Sequence, residues 1–268
     1  MTKVFLFDFN RCNGCHNCQI ACKDEHCEQD WSPYAAAQPL TGQFWCKVNE
    51  YERGQVPWTR VAYEPVLCGH CAEAPCMDAA ALAGRPEAVY RRQDGLVIID
   101  PQAAHGLVGL AESCPVSAIY YNSERDLPQK CTGCAHLLDA GWTEPRCTDA
   151  CPTEALRFVD EDDARLGDAE VLEALEDHAP KLYYLNRPKR FIAGTLVDIA
   201  ADEVVIGAKV ELLDQSGNVV LVTESDELGD FRFDQVDKAV HTVRALGKDF
   251  VADVSACDLS LGDIDIAA

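Results

Sequence analysis

Residues 12–22 read Cys-Asn-Gly-Cys-His-Asn-Cys-Gln-Ile-Ala-Cys, a CxxCxxCxxxC run that starts close to the amino terminus of a 268-residue chain. In bacterial proteins, cysteines with this spacing bind [4Fe-4S] clusters: three cysteines hold one cluster and the fourth holds a second one. The cysteines that complete both clusters must therefore lie elsewhere in the chain.

Further cysteines follow in three groups, which are Cys68, Cys71 and Cys76, then Cys114 before a proline, then Cys131, Cys134, Cys147 and Cys151. The same crossover rule predicts three ligand sets of four. Ligand set 1 is Cys12, Cys15, Cys18 and Cys151; ligand set 2 is Cys22, Cys131, Cys134 and Cys147; ligand set 3 is Cys68, Cys71, Cys76 and Cys114. Cys257 is left over, as are Cys27 and Cys46, which we interpret as ordinary buried or half-buried thiols.

A fourth cluster site is missing from this pattern. Counting forward from Cys76 and back from Cys114, four more cysteines belong at positions that hold Ala80, Ala104, Leu107 and Leu110. Together these positions would be the complete ligand set of one cluster. We therefore predict that this site has become hydrophobic packing, whereas Cys114 is retained because it belongs to ligand set 3. If Cys114 were instead a lone core cysteine, ligand set 3 would be one ligand short.

Fifteen cysteines also admit two other chemistries. A disulfide framework is disfavoured by the odd count, by the length of the chain and by the close spacing. Structural zinc is disfavoured because the runs contain more cysteines than one tetrahedral ion requires.

Charge and hydropathy restrict the partners and the compartment. A net charge of −22 argues against binding to nucleic acid or anionic lipid. No apolar run reaches the length of a membrane span, and the first strand leaves no room for an export signal. We expect a soluble, cytoplasmic protein with no direct membrane insertion; export as the passenger of a signal-bearing partner is the alternative.

Several polar residues adjoin the predicted ligands. Lys130 and Arg146 precede ligand cysteines, where a positive charge would raise the reduction potential; solvent-exposed side chains are the alternative. His16, His70 and His136 lie in or just after the runs. The ligand sets are complete without these histidines, so we expect neighbours of the ligands or surface groups. No nucleophile and base are paired outside the cysteine runs, so no catalytic residue is predicted.

The chain changes character twice along its length. Residues 1–160 are predicted to form a ferredoxin-type domain, with a long irregular segment from Cys27 to about Tyr63. Residues 161–190 predict a helical bridge, with an amphipathic helix over 168–177 that begins at Asp168. Residues 191–268 alternate with period two between turns, which predicts an antiparallel β-sandwich. The predicted class is α+β: a double ferredoxin-like cluster-binding domain followed by a small all-β sandwich.

The ordered cysteine groups resemble those of the iron–sulfur (beta) subunits of molybdenum bis-pterin oxidoreductases of the dimethyl-sulfoxide-reductase superfamily. Three features make the chain similar to the small subunits of transhydroxylases, resorcinol hydroxylases and catechol dehydroxylases. They are the missing cluster site and the stretches 24–26 (Asp-Glu-His) and 134–139 (Cys-Ala-His-Leu-Leu-Asp). Residues 207–210 and 229–233 resemble transthyretin-like or carboxypeptidase-regulatory-like domains.

This resemblance implies an electron-transfer subunit of an anaerobic heterodimer, without catalytic residues of its own. It implies three [4Fe-4S] clusters in this chain and a molybdenum bis-pterin in a large catalytic partner that acts on polyhydroxylated aromatics. The cluster of ligand set 1 would lie nearest that partner. The missing cluster would lie at the far, membrane-facing end, which argues against a haem-bearing membrane anchor. A stand-alone polyferredoxin and a quinone-linked respiratory subunit are the alternatives.

Overall fold

The computed structural model describes residues 2–266; Met1, Ala267 and Ala268, which the predicted domain limits include, lie outside the described residues. The first half of the chain contains β1 (Lys3–Asp8), α1 (Asn17–His26), β2 (Cys46–Gln55), β3 (Trp58–Leu67), α2 (Pro75–Leu82), β4 (Val89–Arg91), β5 (Val97–Ile99), β6 (Ile119–Asn122) and β7 (Leu127–Lys130). The second half contains α3 (Ala135–Asp139), α4 (Arg146–Asp149), β8 (Leu156–Asp160), β9 (Leu182–Leu185), β10 (Arg190–Asp198), β11 (Glu203–Val204), β12 (Lys209–Leu213), β13 (Val219–Glu224), β14 (Asp230–Val236), β15 (Val240–Ala245), β16 (Lys248–Asp253) and β17 (Leu259–Asp265). Four short 3₁₀ helices complete the described part of the protein: Pro86–Ala88, Val108–Ser113, Ala164–Asp168 and Glu173–His178.

The chain forms two compact units. The first consists of Met1–Glu50 and Tyr63–Arg187, and the second of Tyr51–Ala62 and Pro188–Ala268. All four α-helices belong to the first unit, whereas the described part of the second unit contains strands and turns without a helix. The fold class is therefore α+β. Among residues 2–266, no helix is long and apolar enough to cross a membrane.

Strand β1 is the centre of the first unit. Its Val-Phe-Leu-Phe stretch over residues 4–7 is buried on both faces, and such a continuous apolar run is typical of a strand covered on both sides. The strand pairs antiparallel with β8, where Phe5 lies opposite Phe158, and parallel with β9, where Phe5 lies opposite Leu182. The loop that contains Cys12 follows the end of β1. Strand β9, which lies within the predicted bridge, is an edge strand of this three-stranded sheet.

Two local predictions were wrong. The segment predicted to be irregular up to Tyr63 contains most of a β-hairpin, β2 paired with β3; its Trp, Pro and Gly residues suggested a loop, although Cys46 and Val48 are buried alternately along β2. The predicted helix over 168–177 is absent. The backbone of Glu170 exchanges hydrogen bonds of 2.8 and 2.7 Å with Tyr184, which draws this segment towards strand β9 and leaves only short 3₁₀ turns on either side.

The second unit consists largely of two four-stranded sheets. One has the order β11-β10-β14, with β17 parallel to β10, and the other the order β13-β12-β15-β16. Inward residues alternate with outward ones along β12, β14 and β15, as expected for strands with one buried face. The buried residues form one apolar core without cysteine, which includes Ile192, Val210, Phe231, Val243 and Ala252.

Candidate metal centre

Ligand set 1 lies at the surface of the first unit. Cys12 and Cys15 lie in the loop after β1, Cys18 is in the first turn of α1, and Cys151 follows α4. Burial raises the pKa of Cys12, and the charges of Cys18, Cys151 and Cys15 raise it further. These three cysteines therefore lie close enough to Cys12 for their charges to act on it. Cys15 is exposed and the other three are half-buried.

Ligand set 2 is buried. Cys22 is four residues after Cys18 on α1, which packs against α4 and its Cys147, and Cys131 and Cys134 flank the turn between β7 and α3. Burial raises the pKa of Cys22 well above its usual value, and the charges of Cys147, Cys131 and Cys134 add to this effect. Residues more than a hundred positions apart in the sequence thus lie near one another in the fold.

Ligand set 3 lies around one mainly apolar cavity. All four of its cysteines, Cys68, Cys71, Cys76 and Cys114, line this cavity. Burial raises the pKa of Cys71 to about 12 and that of Cys76 to about 11, with further repulsion from the other sulfurs of the set. The cavity and its all-sulfur donors fit an iron–sulfur cluster.

The raised pKa values have a common chemical meaning. A buried thiol with a raised pKa remains protonated near neutral pH, so a bound cation is needed to keep its sulfur as thiolate. Across residues 2–266, no group of three or more His, Cys, Asp or Glu side chains is arranged to hold a single metal ion.

Backbone amides donate in the same way to the first cysteine of three CxxC pairs, which are those that begin at Cys12, Cys68 and Cys131. The amide N–H of His70 donates to the Cys68 sulfur over 3.3 Å, and that of Gly133 donates to the Cys131 sulfur over 3.3 Å. A backbone hydrogen bond from Gly14 likewise acts on Cys12. Gly133 has a φ of +64°, and a Cβ there would lie 2.6 Å from Leu96, so a side chain could not be accommodated.

The residues at the missing fourth site are apolar and close to one another. Ala80, on α2, and Ala104 are fully buried, and Leu110 is 3% exposed in the 3₁₀ helix Val108–Ser113, against which α2 packs. Leu107 is partly buried against the same core.

The polar neighbours of the ligands occupy different environments. Lys130 is 3% exposed and donates to the Cys131 carbonyl over 3.1 Å, so it is not a solvated side chain. Arg146 instead pairs with Asp149 at 2.6 Å near the surface. His16 contacts Glu50 at 2.7 Å. His136 contacts Glu25 at 2.9 Å and stacks on a tryptophan ring.

Two buried residues next to the ligands have no clear signal in the sequence. Cys46 is fully buried and shares side-chain hydrogen bonds with Cys18 of ligand set 1 and Cys147 of ligand set 2. The Nε2 atom of His26 lies 3.8 Å from the Cys134 sulfur, and burial lowers the pKa of His26 to about 3. Neither residue belongs to a CxxC run, so spacing alone gave no reason to assign them a role.

Comparison with known families supports iron–sulfur clusters in this chain. A family model described as a 4Fe-4S dicluster domain matches residues 59–161. This span contains all of ligand set 3 and the carboxy-terminal members of the other two sets. The fold and the cysteine centre therefore define an iron–sulfur electron-transfer protein.

The relatives identify the family more narrowly. The chain is 36% identical to the pyrogallol hydroxytransferase small subunit of Pelobacter acidigallici, over 96% of this chain and 95% of the relative. It is 29% identical to a subunit of the tetrathionate reductase of Salmonella typhimurium, over 70% of this chain and 74% of the relative. It is also 31% identical to a polypeptide of the anaerobic dimethyl sulfoxide reductase of Haemophilus influenzae, over 60% and 75%. The chain belongs to the family of iron–sulfur subunits of molybdenum bis-pterin oxidoreductases of the dimethyl-sulfoxide-reductase superfamily.

Proposed function

We propose that this chain relays single electrons to or from a molybdopterin catalytic subunit that acts on polyhydroxylated aromatics, as in transhydroxylases and catechol dehydroxylases. The observation that carries this proposal is the 36% identity to the pyrogallol hydroxytransferase small subunit, because it extends over nearly the whole of both chains. The matches to reductase subunits cover less of this chain.

Three [4Fe-4S] clusters are proposed, one for each ligand set. The bound clusters supply reversible one-electron chemistry. The protein holds the sulfurs in place, and it excludes water from ligand sets 2 and 3, whose cysteines are buried apart from the half-buried Cys114. The exposed Cys15 makes ligand set 1 the most accessible of the three to a partner, which supports the proposal that the catalytic subunit docks there.

The fourth cluster is proposed to be absent because its ligand positions are apolar and closely packed. Buried Ala80, Ala104 and Leu110 offer no sulfur to bind iron. An electron path without this site is one cluster shorter than in four-cluster relatives, which disfavours direct transfer to a haem-bearing membrane anchor.

The carboxy-terminal strands are proposed to form a transthyretin-like β-sandwich domain over 191–268, after a bridge over 161–190 and a ferredoxin-type domain over 1–160. Two facing sheets around one apolar core support the sandwich. In the described part of this domain the core has no cysteine, and no group of side chains is arranged to bind a metal ion. A docking or stabilising role is therefore proposed for it.

Purification of the chain in its native complex tests this function. The expected result is a large subunit that contains molybdenum, about twelve irons on this chain, and activity on a panel of catechols, pyrogallols and resorcinols. A monomer without a molybdenum partner would contradict the proposal. About sixteen irons would contradict the missing fourth cluster, and a membrane subunit in the complex would favour a quinone-linked enzyme.

A further inference from the structure

His70 is buried at the cavity of ligand set 3. It lies between Cys68 and Cys71, is 1% exposed, and lines the cavity together with the four cysteines. Its ring stacks on that of Phe5, with the ring centroids 6.3 Å apart. The ring is thus fixed by packing rather than free to turn.

The hydrogen bonds of the ring settle where its proton is. The Nδ1 atom accepts a hydrogen bond from the amide N–H of Val97 over 3.0 Å. A ring nitrogen that accepts a hydrogen bond carries no proton, so the imidazole is neutral and its proton is on Nε2. The backbone of His70 lies in the left-handed region, with a φ of +44°.

The Nε2–H group has no partner among the described residues. Its nitrogen is fully buried and makes no hydrogen bond with any of them. Leaving a buried N–H donor unpaired costs about 1–3 kcal/mol, so such groups normally have an acceptor. The described neighbours supply no acceptor. The third cluster is proposed to be bound in the cavity that His70 lines, and its sulfurs could accept this hydrogen bond.

We propose that His70 donates a hydrogen bond from Nε2–H to a sulfur of the [4Fe-4S] cluster held by ligand set 3, and so raises the reduction potential of that cluster. The proposal rests on the proposed third cluster. A donor at sulfur stabilises the additional negative charge of the reduced cluster more than the oxidised form, and hydrogen bonds to sulfur are among the factors that set these potentials.

Two substitutions separate the two nitrogen atoms of the ring. In His70→Asn the side-chain oxygen takes the position of Nδ1 and can still accept from Val97, but no donor reaches the position of Nε2. Asparagine also tolerates a positive φ. In His70→Gln the amide nitrogen reaches the position of Nε2 as a donor, while the acceptor for Val97 is lost.

The potential of the third cluster, measured by redox titration with electron paramagnetic resonance, distinguishes these roles. In His70→Asn we expect a more negative potential, by about tenfold in the ratio of reduced to oxidised cluster, which is about 59 mV for one electron. His70→Gln should stay close to the unsubstituted protein. If Gln lowers the potential more than Asn does, or if neither changes it, the donor role is wrong.

His26 provides a matched control, because it is also a buried histidine but lies beside Cys134 of ligand set 2. His26→Asn, the same substitution as His70→Asn, should leave the potential of the third cluster unchanged. An equal shift in that potential would indicate a general effect of losing a buried histidine and would overturn the specific role of His70.

Hyperfine spectroscopy on the unsubstituted protein does not depend on whether the variants fold. With histidine that is ¹⁵N-labelled only in the imidazole ring and exchange into D₂O, the reduced third cluster should couple to one ring nitrogen and to an exchangeable deuteron besides that of the His70 amide, which already donates to the Cys68 sulfur. A third cluster without these couplings overturns the role of His70 and leaves the proposed function intact. Absence of a third cluster signal and only about eight irons would instead contradict the proposed function itself.

Discussion

Lys130 is a buried cation between two ligand sets. Burial alone would lower its pKa, but the charges of Cys68 and Cys76 of ligand set 3 and of Cys131 of ligand set 2 raise the pKa overall. Its Nζ donates to the carbonyl oxygens of Val97 and Cys131. The side chain therefore remains charged where it faces sulfurs of both sets.

Lys130→Met should make the potentials of the second and third clusters more negative. Loss of one buried positive charge at an effective dielectric constant of about 20 changes the energy of a nearby charge by roughly 1–3 kcal/mol, or about 40–130 mV per electron. Redox titration of the purified protein measures the shift. Arg146→Met is the control, because the half-exposed Arg146 pairs with Asp149 and its loss should have a smaller effect; equal shifts in both variants would count against a special role of burial.

Cys114 is the ligand that ties a separate part of the chain to ligand set 3. Cys114→Ala should remove the third cluster, with iron falling from about twelve to about eight per chain, while the other two clusters keep their signals. Iron analysis and electron paramagnetic resonance measure this outcome. The exposed Cys257 is the control, since Cys257→Ala should keep all its iron. Unchanged iron in Cys114→Ala would mean that Cys114 is only a core thiol.

At the scale of elements, α2 packs against the 3₁₀ helix Val108–Ser113 where the fourth cluster is proposed to be absent. Leu110→Ala should therefore lower the free energy of unfolding by about 2–4 kcal/mol, as for other buried leucines, without loss of iron. Leu82→Ala on the same helix α2 is the control, because Leu82 is 90% exposed and should change stability by less than about 0.5 kcal/mol. Denaturant unfolding with parallel iron analysis tests both. An unchanged free energy of unfolding in Leu110→Ala would contradict its role in core packing, and loss of iron would show that this packing also supports the proposed clusters.

The tip of the β2–β3 hairpin is held in the second unit by a buried ion pair. Arg53 donates two hydrogen bonds to Asp258, of 3.0 and 2.8 Å, and Asp258 is 2% exposed at its side chain. Asp258 also accepts the backbone N–H of Phe191 over 2.9 Å. One carboxylate thus connects the hairpin to the start of β10.

Arg53→Ala should destabilise the second unit by about 3 kcal/mol, because removal of one partner leaves an uncompensated buried charge. Thermal unfolding followed by circular dichroism measures the loss. Arg232→Ala breaks a half-exposed pair with Asp234 in the same unit and should cost about 0–1 kcal/mol. If both variants lose the same stability, the buried ion pair stabilises the second unit no more than the half-exposed pair does.

The sequence predicted some elements and not others, for physical reasons. Cysteine spacing specifies which sulfurs can share a cluster, and β1 and the alternating strands after Phe191 follow directly from hydrophobic pattern. The prediction of a helix over 168–177 was wrong because a long-range β-bridge between Glu170 and Tyr184 overrides the local helix propensity. The burial of Lys130 and the free Nε2 of His70 depend on packing between segments distant in sequence, which no local pattern records.

At the scale of the whole molecule, the two units owe their stability to different sources. The core of the first unit contains cysteines of ligand sets 2 and 3 among its buried residues, whereas the core of the second unit is aliphatic and aromatic without cysteine in its described part. When a metal centre is part of the core, the free energy of metal binding contributes to folding. The first unit should therefore depend on iron and the second should not.

Removal of iron with a strong chelator under anaerobic, reducing conditions should thus unfold the first unit selectively. Without iron, the buried sulfurs must take up protons, and the cavity at ligand set 3 loses the group that is proposed to fill it. Limited proteolysis with mass spectrometry should then show cleavage across 63–187, while the two segments of the second unit, 51–62 and from about residue 188 onward, stay protected and retain their β-sheet circular dichroism signal. The holoprotein, treated with protease under the same conditions, is the control. Simultaneous digestion of both units after chelation would show that the second unit has no independent stability.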